Sequence, residues 1–300
     1  MTIEQRTLGS RLLRPIMYIP VLIAAAIVVL PYVWMVLGAF KPIPELSKVP
    51  PTLYIEHPTL DNFYDPLGGK GIQFHVEGIF QRFPQIPGGF ARIFLNSIVV
   101  TSSITVVSLI LASLAAFVLA KHRFPGRNFF FILFVASMMV PWQVLLIPGF
   151  LLMKQFGWID TFWGLFVPAL PKAFVVFFLR QYMLSMPDEL LDAARIDGAG
   201  EFRIWWQIVL PLVRPALVAM SIFVMLGEWN NFVWPLIVIQ SDDNRTLPLA
   251  LSLLNYNLNG APNQGVLLAA ALLVSLPTLL LFLFFQRQFI RGIALTGIKG

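Results

Sequence analysis

Six long apolar stretches constrain this chain more than any other feature. Each can cross a hydrocarbon core about 30 Å thick, because an α-helix rises about 1.5 Å per residue. Apolar residues make up 58% of the 300 and charged residues 12%, a composition typical of helical membrane proteins. The sequence therefore predicts an all-α membrane protein, a single domain over residues 1–300 with six transmembrane helices. The predicted spans are residues 16–40, 93–120, 129–153, 162–183, 212–239 and 266–285.

Lysine and arginine in the connecting segments predict the orientation of these spans. If the N-terminus is cytoplasmic, thirteen basic residues lie on that side, in short segments, and seven lie on the other. Cytoplasmic loops are enriched in positive charge, so we expect both termini in the cytoplasm. The first span follows Arg6, Arg11 and Arg14, as a signal peptide would, but its apolar part is too long and no small-residue cleavage site follows. We expect it to remain as an anchor.

Several kinds of site are excluded or disfavoured by composition. The chain has no cysteine, so disulfides and thiolate chemistry are excluded. The net charge of +6 comes from basic residues at the ends of spans, which favours lipid over nucleic acid as a partner. His57 and His75 lie in a long outer loop, residues 41–92, without the spacing of further ligands, and are better interpreted as solvated residues than as a metal site. No motif for a membrane enzyme is present, and His122 stands alone in a cytoplasmic loop.

The segment from Pro187 to Pro215 is polar and lies between the fourth and fifth spans. Pro187 suits a first helical position, Gly198 ends that helix, and a second helix runs from near Glu201 to Pro211. This predicts a cytoplasmic helix-turn-helix on which a soluble partner can dock. The alternative is a loop lying on lipid headgroups, but five acidic residues oppose one arginine in residues 187–201, and anionic lipid would repel them.

Two charges lie inside the predicted spans at a common depth. Lys172 and Glu228 are each about ten residues, or roughly 15 Å, from the outer end of their span. A charge at a helix centre is costly, so each is expected to face a partner or a wet cavity. Three interpretations remain open: the residues pair, they line a solute pathway, or the pair only fixes helix packing. The pathway would include the neighbouring Trp229, Asn230 and Asn231, whose ring and amides suit a sugar.

A long motif in the cytoplasmic segment carries a resemblance to a known family. Asp192-Ala193-Ala194 is followed after three residues by Gly198, and after nine more by Ile208 and then Leu210-Pro211. This spacing resembles the EAA loop of binding-protein-dependent ABC importer permeases, with Asp in place of the usual Glu. EWNNFVWPLIV at 228–238 and QRQFIRG at 286–292 are similar to the carbohydrate branch, on the maltose-permease pattern.

The resemblance implies a set of partners for a subunit without a catalytic site. They are a second permease, with a non-identical one favoured, two cytoplasmic ATPases that bind ATP and Mg, and an extracytoplasmic solute-binding protein. This chain itself would bind no cofactor and would carry a sugar through a bacterial or archaeal cytoplasmic membrane. By resemblance, the ATPase-docking residues are Asp192, Ala193, Ala194, Asp197 and Gly198.

The resemblance also implies that the binding protein meets the loop between the fifth and sixth spans. That loop ends in an asparagine-rich stretch, Asn255, Asn257, Asn259 and Asn263. A plain connector is the alternative there. For the whole chain the alternative function is an ion-coupled secondary transporter, for which several intramembrane acids or an inverted repeat are expected instead.

Overall fold

A computed structural model describes residues 8–63, 89–254 and 264–294, and every regular element in these ranges is a helix. The chain forms two compact units. The first comprises residues 1–83 and 257–275, and the second comprises residues 84–256 and 276–300.

Helices long and apolar enough to cross a membrane occur in both the N-terminal and C-terminal parts of the described chain. Four qualify alone: residues 18–39, 89–121, 162–184 and 264–285. Two helix pairs, 127–137 with 142–155 and 201–212 with 214–229, qualify together but are bent by 91° and 82°. The predicted number of six is therefore reached if each bent pair counts as one span.

The first unit contains helices α1 (Leu8–Ala39) and α2 (Ile43–Leu46). Lys41, which is 1% exposed, lies 3.6 Å from the carboxylate of Glu45 and donates to Thr52 Oγ1 at 3.0 Å. Asn62 Nδ2 donates to the carbonyl oxygens of Ala39 and Lys41. The start of the predicted outer loop is thus folded back on the end of α1.

The centre of the second unit is helix α3 (Gly89–Lys121), 33 residues in one unbroken helix, or about 50 Å. Helices α7 (Ala173–Leu184) and α11 (Arg214–Trp229) pack against it. The buried face of α3 includes Ala112 and Ala116, at 4% and 0% exposure. Such small residues allow neighbouring membrane helices to approach closely.

Hydroxyl groups on the buried face of α3 bond to the backbone of α3 itself. Thr105 Oγ1 donates to the Thr101 carbonyl at 2.7 Å, Ser108 Oγ to the Thr105 carbonyl at 3.2 Å, and Ser113 Oγ to the Ile110 carbonyl at 2.9 Å. An unpaired polar group would be costly in an apolar interior. These hydroxyls are satisfied without any group from a neighbouring helix.

Two predicted spans of the second unit are interrupted beside a proline. Pro141 separates α4 (Arg127–Ser137) from a 3₁₀ turn and α5 (Leu146–Gln155). Pro171 lies between α6 (Phe162–Phe166), with its own 3₁₀ turn, and α7. A proline removes a helical hydrogen bond, which explains the breaks.

The fifth predicted span is also divided. α11 ends at Trp229, and the short helix α12 (Val233–Val238) follows after three residues. The predicted single span over 212–239 is therefore two helices.

A turn over residues 240–245 connects α12 to α13 (Leu247–Leu254). Asp160 Oδ1 accepts hydrogen bonds from the backbone N–H groups of Gln240 and Ser241, at 3.1 and 3.0 Å. These bonds lower the pKa of the Asp160 carboxyl against the opposing effect of its burial. The last helix, α14, runs from Gln264 to Ala294 and contains Pro277 without a break.

Candidate functional site

The polar segment between α7 and α11 folds as the predicted helix-turn-helix. Its first helix, α8, is Glu189–Ile196. The second part is continuous, with α9 (Glu201–Ile204), a π-helical turn (Trp205–Val209) and α10 (Leu210–Leu212). The prediction that Pro187 opens the first helix is wrong, because Asp188 takes the N-cap position and Pro187 precedes it. We call residues 189–212 the inner helix pair, after the side of the membrane that the sequence predicts for it.

Gly198 makes the turn between the two helices, as predicted. Its φ of +79° lies in the left-handed region, where glycine carries no Cβ penalty. The Ala199 N–H donates to the Ala194 carbonyl at 2.9 Å and so closes the end of α8. A Cβ added at Gly198 would meet nothing within 4 Å, so the turn faces open space.

The five predicted docking residues do not all face outward. Asp192, Ala193, Asp197 and Gly198 are exposed. Ala194 is 9% exposed and belongs to the hydrophobic core, with the fully buried Leu191. The expectation that Ala194 offers a packing surface to a partner is therefore corrected, because its methyl group packs inside this subunit.

The solvent-exposed surface of the inner helix pair carries large apolar side chains that are not among the docking residues predicted from the sequence. Ile196 is 86% exposed, Phe202 69% and Trp206 57%. They lie on a segment whose remaining exposed residues are largely polar. An exposed apolar patch with a polar surround is typical of a protein interaction site.

Ion pairs connect the two helices across the Gly198 turn. Arg195 donates from Nη1 to Asp192 Oδ1 at 2.8 Å and from Nε to Glu201 Oε1 at 2.9 Å. The hydrogen bond from Arg195 holds the pKa of Glu201 below its usual range, and the same bond raises the pKa of Arg195. The arginine therefore fixes the start of α9 against the end of α8.

The C-terminal end of α3 and the residue after it contact the segment that leads into α8 and the start of α9. Lys121 Nζ, on a side chain only 4% exposed, donates to the Met186 carbonyl and to Asp188 Oδ1, both at 2.6 Å. His122 Nε2 lies 3.0 Å from Glu201 Oε2. The bond from Lys121 lowers the pKa of Asp188. These contacts were not predicted from the sequence. The available signal was that Lys121 and Arg123 follow the second predicted span and that the acidic segment 187–201 follows the fourth.

Lys172 and Glu228 come together, as one interpretation of their common depth predicted. Lys172 Nζ lies 2.6 Å from Glu228 Oε1, and their side chains are 24% and 9% exposed. Lys172 is the N-cap of α7, and Glu228 is the penultimate residue of α11. A cation at a helix N-terminus and an anion at a C-terminus both oppose the helix dipole. Each charge is therefore stabilised by the other and not by its own helix.

A small cavity with both polar and apolar walls adjoins this ion pair on the Glu228 side. Its volume, about 10 Å³, matches roughly one water molecule. Its polar lining comes from Ser97, Thr101, Glu228, Asn231 and Thr246, and its apolar lining from Val100, Ile104, Leu165, Trp229, Trp234 and Pro235. Asn231 Nδ2 also donates to Glu228 Oε2 at 3.3 Å.

Trp229 and Asn230, the other predicted pathway residues, differ in exposure. Trp229 is 2% exposed and packs edge-on against Phe94, with ring centroids 5.8 Å apart. Its ring therefore offers no open face for a sugar in this conformation. Asn230 is exposed and donates to the Leu226 carbonyl at 2.8 Å.

The histidines of the predicted outer loop and the asparagine-rich stretch lie partly or wholly outside the described residues. His57 is exposed, and His75 lies outside the described residues. In the ranges that are described, no three His, Cys, Asp or Glu residues cluster in a way that could hold a metal ion. Asn255, Asn257, Asn259 and Asn263 also lie outside the described residues.

Residues 104–294 match the family described as binding-protein-dependent transport system inner membrane component. The chain belongs to this family. The match covers the inner helix pair, the Lys172–Glu228 ion pair and most of α3. Members of the family are transport permeases, so the chain is a non-catalytic, multi-pass membrane subunit of an ABC importer.

Individual relatives agree with this assignment. The chain is 38% identical over 278 residues to the arabinooligosaccharides transport system permease protein AraQ of Halalkalibacterium halodurans, covering 92% of this chain and 93% of the relative. It is 31% identical over 286 residues to the lactose transport system permease protein LacG of Rhizobium radiobacter, covering 95% and 97%.

A solved structure shares the fold. It is a chain of a bacterial ABC transporter involved in the import of the acidic polysaccharide alginate, with a TM-score of 0.79. The similarity covers 96% of this chain and all of the other, at 20% sequence identity. At 20% sequence identity, this similarity supports a shared fold and does not by itself indicate a shared solute.

Proposed function

We propose that this chain is one of two permease subunits of an ATP-driven sugar importer, in the cytoplasmic membrane of a bacterium or archaeon. It forms half of the solute pathway beside a second, non-identical permease. Two ATPase subunits, which bind ATP and Mg, dock on the cytoplasmic side, and a solute-binding protein delivers the sugar on the other. The names of the two relatives, both permeases for saccharides, support sugar as the solute class.

The observation that carries this proposal is the exposed surface of the inner helix pair. Ile196 and Phe202 flank the Gly198 turn and expose apolar side chains, which a groove on an ATPase subunit would cover. Asp192, with a side chain 64% exposed, and Asp197 supply charges beside the apolar patch, and Ala193 leaves room for close approach. Closure of the ATPase dimer would push on this surface and move the attached helices.

The Lys172–Glu228 ion pair is the proposed internal element of the solute pathway. It lies where α7 and α11 are interrupted, and interrupted helices commonly form solute sites in transporters. Asn231 and Asn230 supply amides beside it that can bond to sugar hydroxyls. Trp229 would join such a site only after its packing against Phe94 changes.

We place the binding-protein contact on the loop between α12 and α14, including the asparagine-rich stretch 255–263. This part of the proposal rests on the family resemblance. It also requires the inner helix pair to be cytoplasmic, which protease accessibility of residues 187–215 in oriented vesicles would test.

The decisive experiment for coupling is Gly198→Asp in the assembled transporter. An aspartate tolerates the left-handed backbone better than most residues, and its side chain has open space. We therefore expect a folded protein that no longer couples ATP hydrolysis to solute uptake, because the new side chain would protrude into the ATPase groove. Uptake and ATP hydrolysis are measured together in proteoliposomes.

Gly157→Asp is the matched control. Gly157 has a φ of +68° and also no atom within 4 Å of an added Cβ, but it lies in the loop between α5 and α6. It carries the same backbone strain and the same new charge, so its coupling should stay normal. Normal uptake by Gly198→Asp, or solute transport by this subunit with no ATPase present, would overturn the proposal in favour of a secondary transporter.

The sugar is identified through the partner. Radiolabelled saccharides are offered to the solute-binding protein encoded beside this permease, and the retained one names the solute. Retention of a compound that is not a carbohydrate would contradict the proposed solute class and leave the coupling mechanism intact.

A further inference from the structure

Helix α3 contacts functional elements at both of its ends. At its inner end, Lys121 bonds to Asp188, the N-cap of α8, and His122, the residue after α3, bonds to Glu201 at the start of α9. Each contact is a charged or hydrogen-bonded side-chain pair and not only van der Waals packing. Displacement of the inner helix pair would therefore exert a force directly on the end of α3.

The outer end of α3, 25 residues earlier, is attached in a comparable way. Asn96 Nδ2 donates to the carbonyl oxygens of Asp243 and Arg245, at 2.8 and 3.1 Å. Ser97 Oγ accepts the backbone N–H of Leu247 at 2.6 Å. These bonds hold the 240–245 turn and the start of α13 to α3. Asp160 holds the same turn from the loop between α5 and α6.

Between these attachments α3 is a single helix, about 38 Å from Asn96 to Lys121 at 1.5 Å per residue. In residues 89–254, the other routes between the turn and the inner helix pair are interrupted. The route through α6 and α7 is interrupted at Pro171. The α4–α5 pair is bent by 91°, and the chain bends by 82° where α11 begins. A bend can absorb a displacement by changing its angle, whereas a continuous helix transmits it along its axis.

We propose that α3 is a rigid link between the inner helix pair and the 240–245 turn, and that Lys121 and Asn96 are the positioning residues that attach it at its two ends. This inference rests on the proposed function, in which the inner helix pair meets an ATPase and the loop containing the turn meets the binding protein. Through α3, docking of the loaded binding protein at one end alters ATP hydrolysis at the other.

The test compares Lys121→Met, Asn96→Ala and the double variant in the complete transporter, reconstituted in proteoliposomes. ATP hydrolysis is measured with and without the solute-loaded binding protein, and the ratio is the readout. We expect each single variant to lower the ratio by about fivefold, at the low end of typical allosteric couplings. The double variant should fall little further, because weakening the attachment at one end already limits the movement that α3 can transmit.

Two further variants separate the link from a loss of folding. Ser102→Ala removes an exposed hydroxyl that bonds only within α3, to the carbonyl oxygens of Ile98 and Val99, and should keep the normal ratio. Lys121→Arg retains a donor at the inner end and should restore most of the ratio lost in Lys121→Met. Rates are normalised to assembled complex recovered by gel filtration.

A normal ratio in Lys121→Met, or a loss in Lys121→Met without one in Asn96→Ala, would overturn the link. If Gly198→Asp is uncoupled in the same preparation, the proposed function stands while the link fails. If Gly198→Asp also behaves normally, the proposed function itself has failed.

Discussion

Helix α3 and its neighbours α7 and α11 pack in one core, yet they differ in continuity. α3 runs 33 residues without a break, whereas α7 begins after a 3₁₀ turn and α11 ends shortly before α12. The paired charges also differ in their partners: Lys121 of α3 bonds to the N-cap of α8, whereas Lys172 and Glu228, at the interruptions of α7 and α11, bond to each other. The comparison indicates one helix suited to transmitting movement and two suited to changing shape.

The largest expected effect comes from interrupting α3. Ala115→Pro would remove a helical hydrogen bond and introduce a clash in the middle of the helix, at a cost of about 3 kcal/mol or more. We expect a lower thermal midpoint in detergent and little or no uptake. Both are measured on purified protein and on reconstituted transporter.

The control for this interruption is Ala173→Pro. Ala173 is the first residue of α7 and follows Lys172, whose backbone is not helical (φ −117°, ψ 78°), and proline is well tolerated at the first helical position. Both alanines are half-buried. If Ala173→Pro destabilises the protein as much as Ala115→Pro, the claim that α3 depends on its continuity more than α7 does would be contradicted.

A smaller effect is expected from separating the charges at the interruptions. Lys172→Met leaves Glu228 buried and unpaired, which costs about 2 to 3 kcal/mol once the partial exposure of Lys172 is considered. Chemical denaturation of the purified subunit measures this loss. The double variant Lys172→Met with Glu228→Met should recover most of it, because no unpaired charge remains.

Charge reversal sharpens the same test. In Lys172→Glu with Glu228→Lys, the acid lies at the N-terminus of α7 and the base near the C-terminus of α11, where the helix dipoles favour them. The double reversal should therefore be more stable than either single reversal. Equal instability of the three variants would show that the two residues do not act as a pair.

The smallest effect is a pH dependence at the inner end of α3. The pKa values of Asp188 and Glu201 are lowered, mainly by hydrogen bonds from Lys121 and Arg195 respectively. A lowered folded-state pKa stabilises the protein above the unfolded-state pKa, and this stabilisation is lost as pH falls through the folded value. We expect the inner helix pair to loosen in acid, by less than about 1 kcal/mol because both acids are exposed.

Hydrogen exchange of residues 189–212 between about pH 5 and pH 3 measures this loosening. In Asp188→Asn with Glu201→Gln the pH-dependent part should be smaller than in the unchanged protein. An identical pH profile in the two proteins would contradict the assigned role of these carboxylates.

Much of the helical architecture could be predicted from sequence, because apolar stretches of fixed length follow from membrane thickness. The Gly198 turn was also predictable, since few residues besides glycine adopt a left-handed backbone at low cost. The interruption after Trp229 was not. No proline or glycine lies at residues 230–232, and the break coincides with the Glu228 ion pair and with side-chain hydrogen bonds from Asn230 and Asn231 back to α11.

The candidate sites were predicted in part for a similar reason. Motif spacing located the inner helix pair and depth located Lys172 and Glu228, because both are properties of position along the chain. The inward orientation of Ala194 and the contacts of Lys121, His122 and Asn96 are properties of tertiary packing. A sequence pattern predicts on which helix a residue lies. It does not predict which residue of another helix that side chain contacts.

The hydroxyl groups of α3 have one further consequence. Since Thr105, Ser108 and Ser113 bond to their own helix, an adjacent helix can slip along this stretch without exchanging any of those three bonds. The middle of α3 therefore offers little resistance to sliding of a neighbouring helix, while its two ends are held by hydrogen bonds. Shear between packed helices requires such a surface, and here it is built from ordinary serines and threonines.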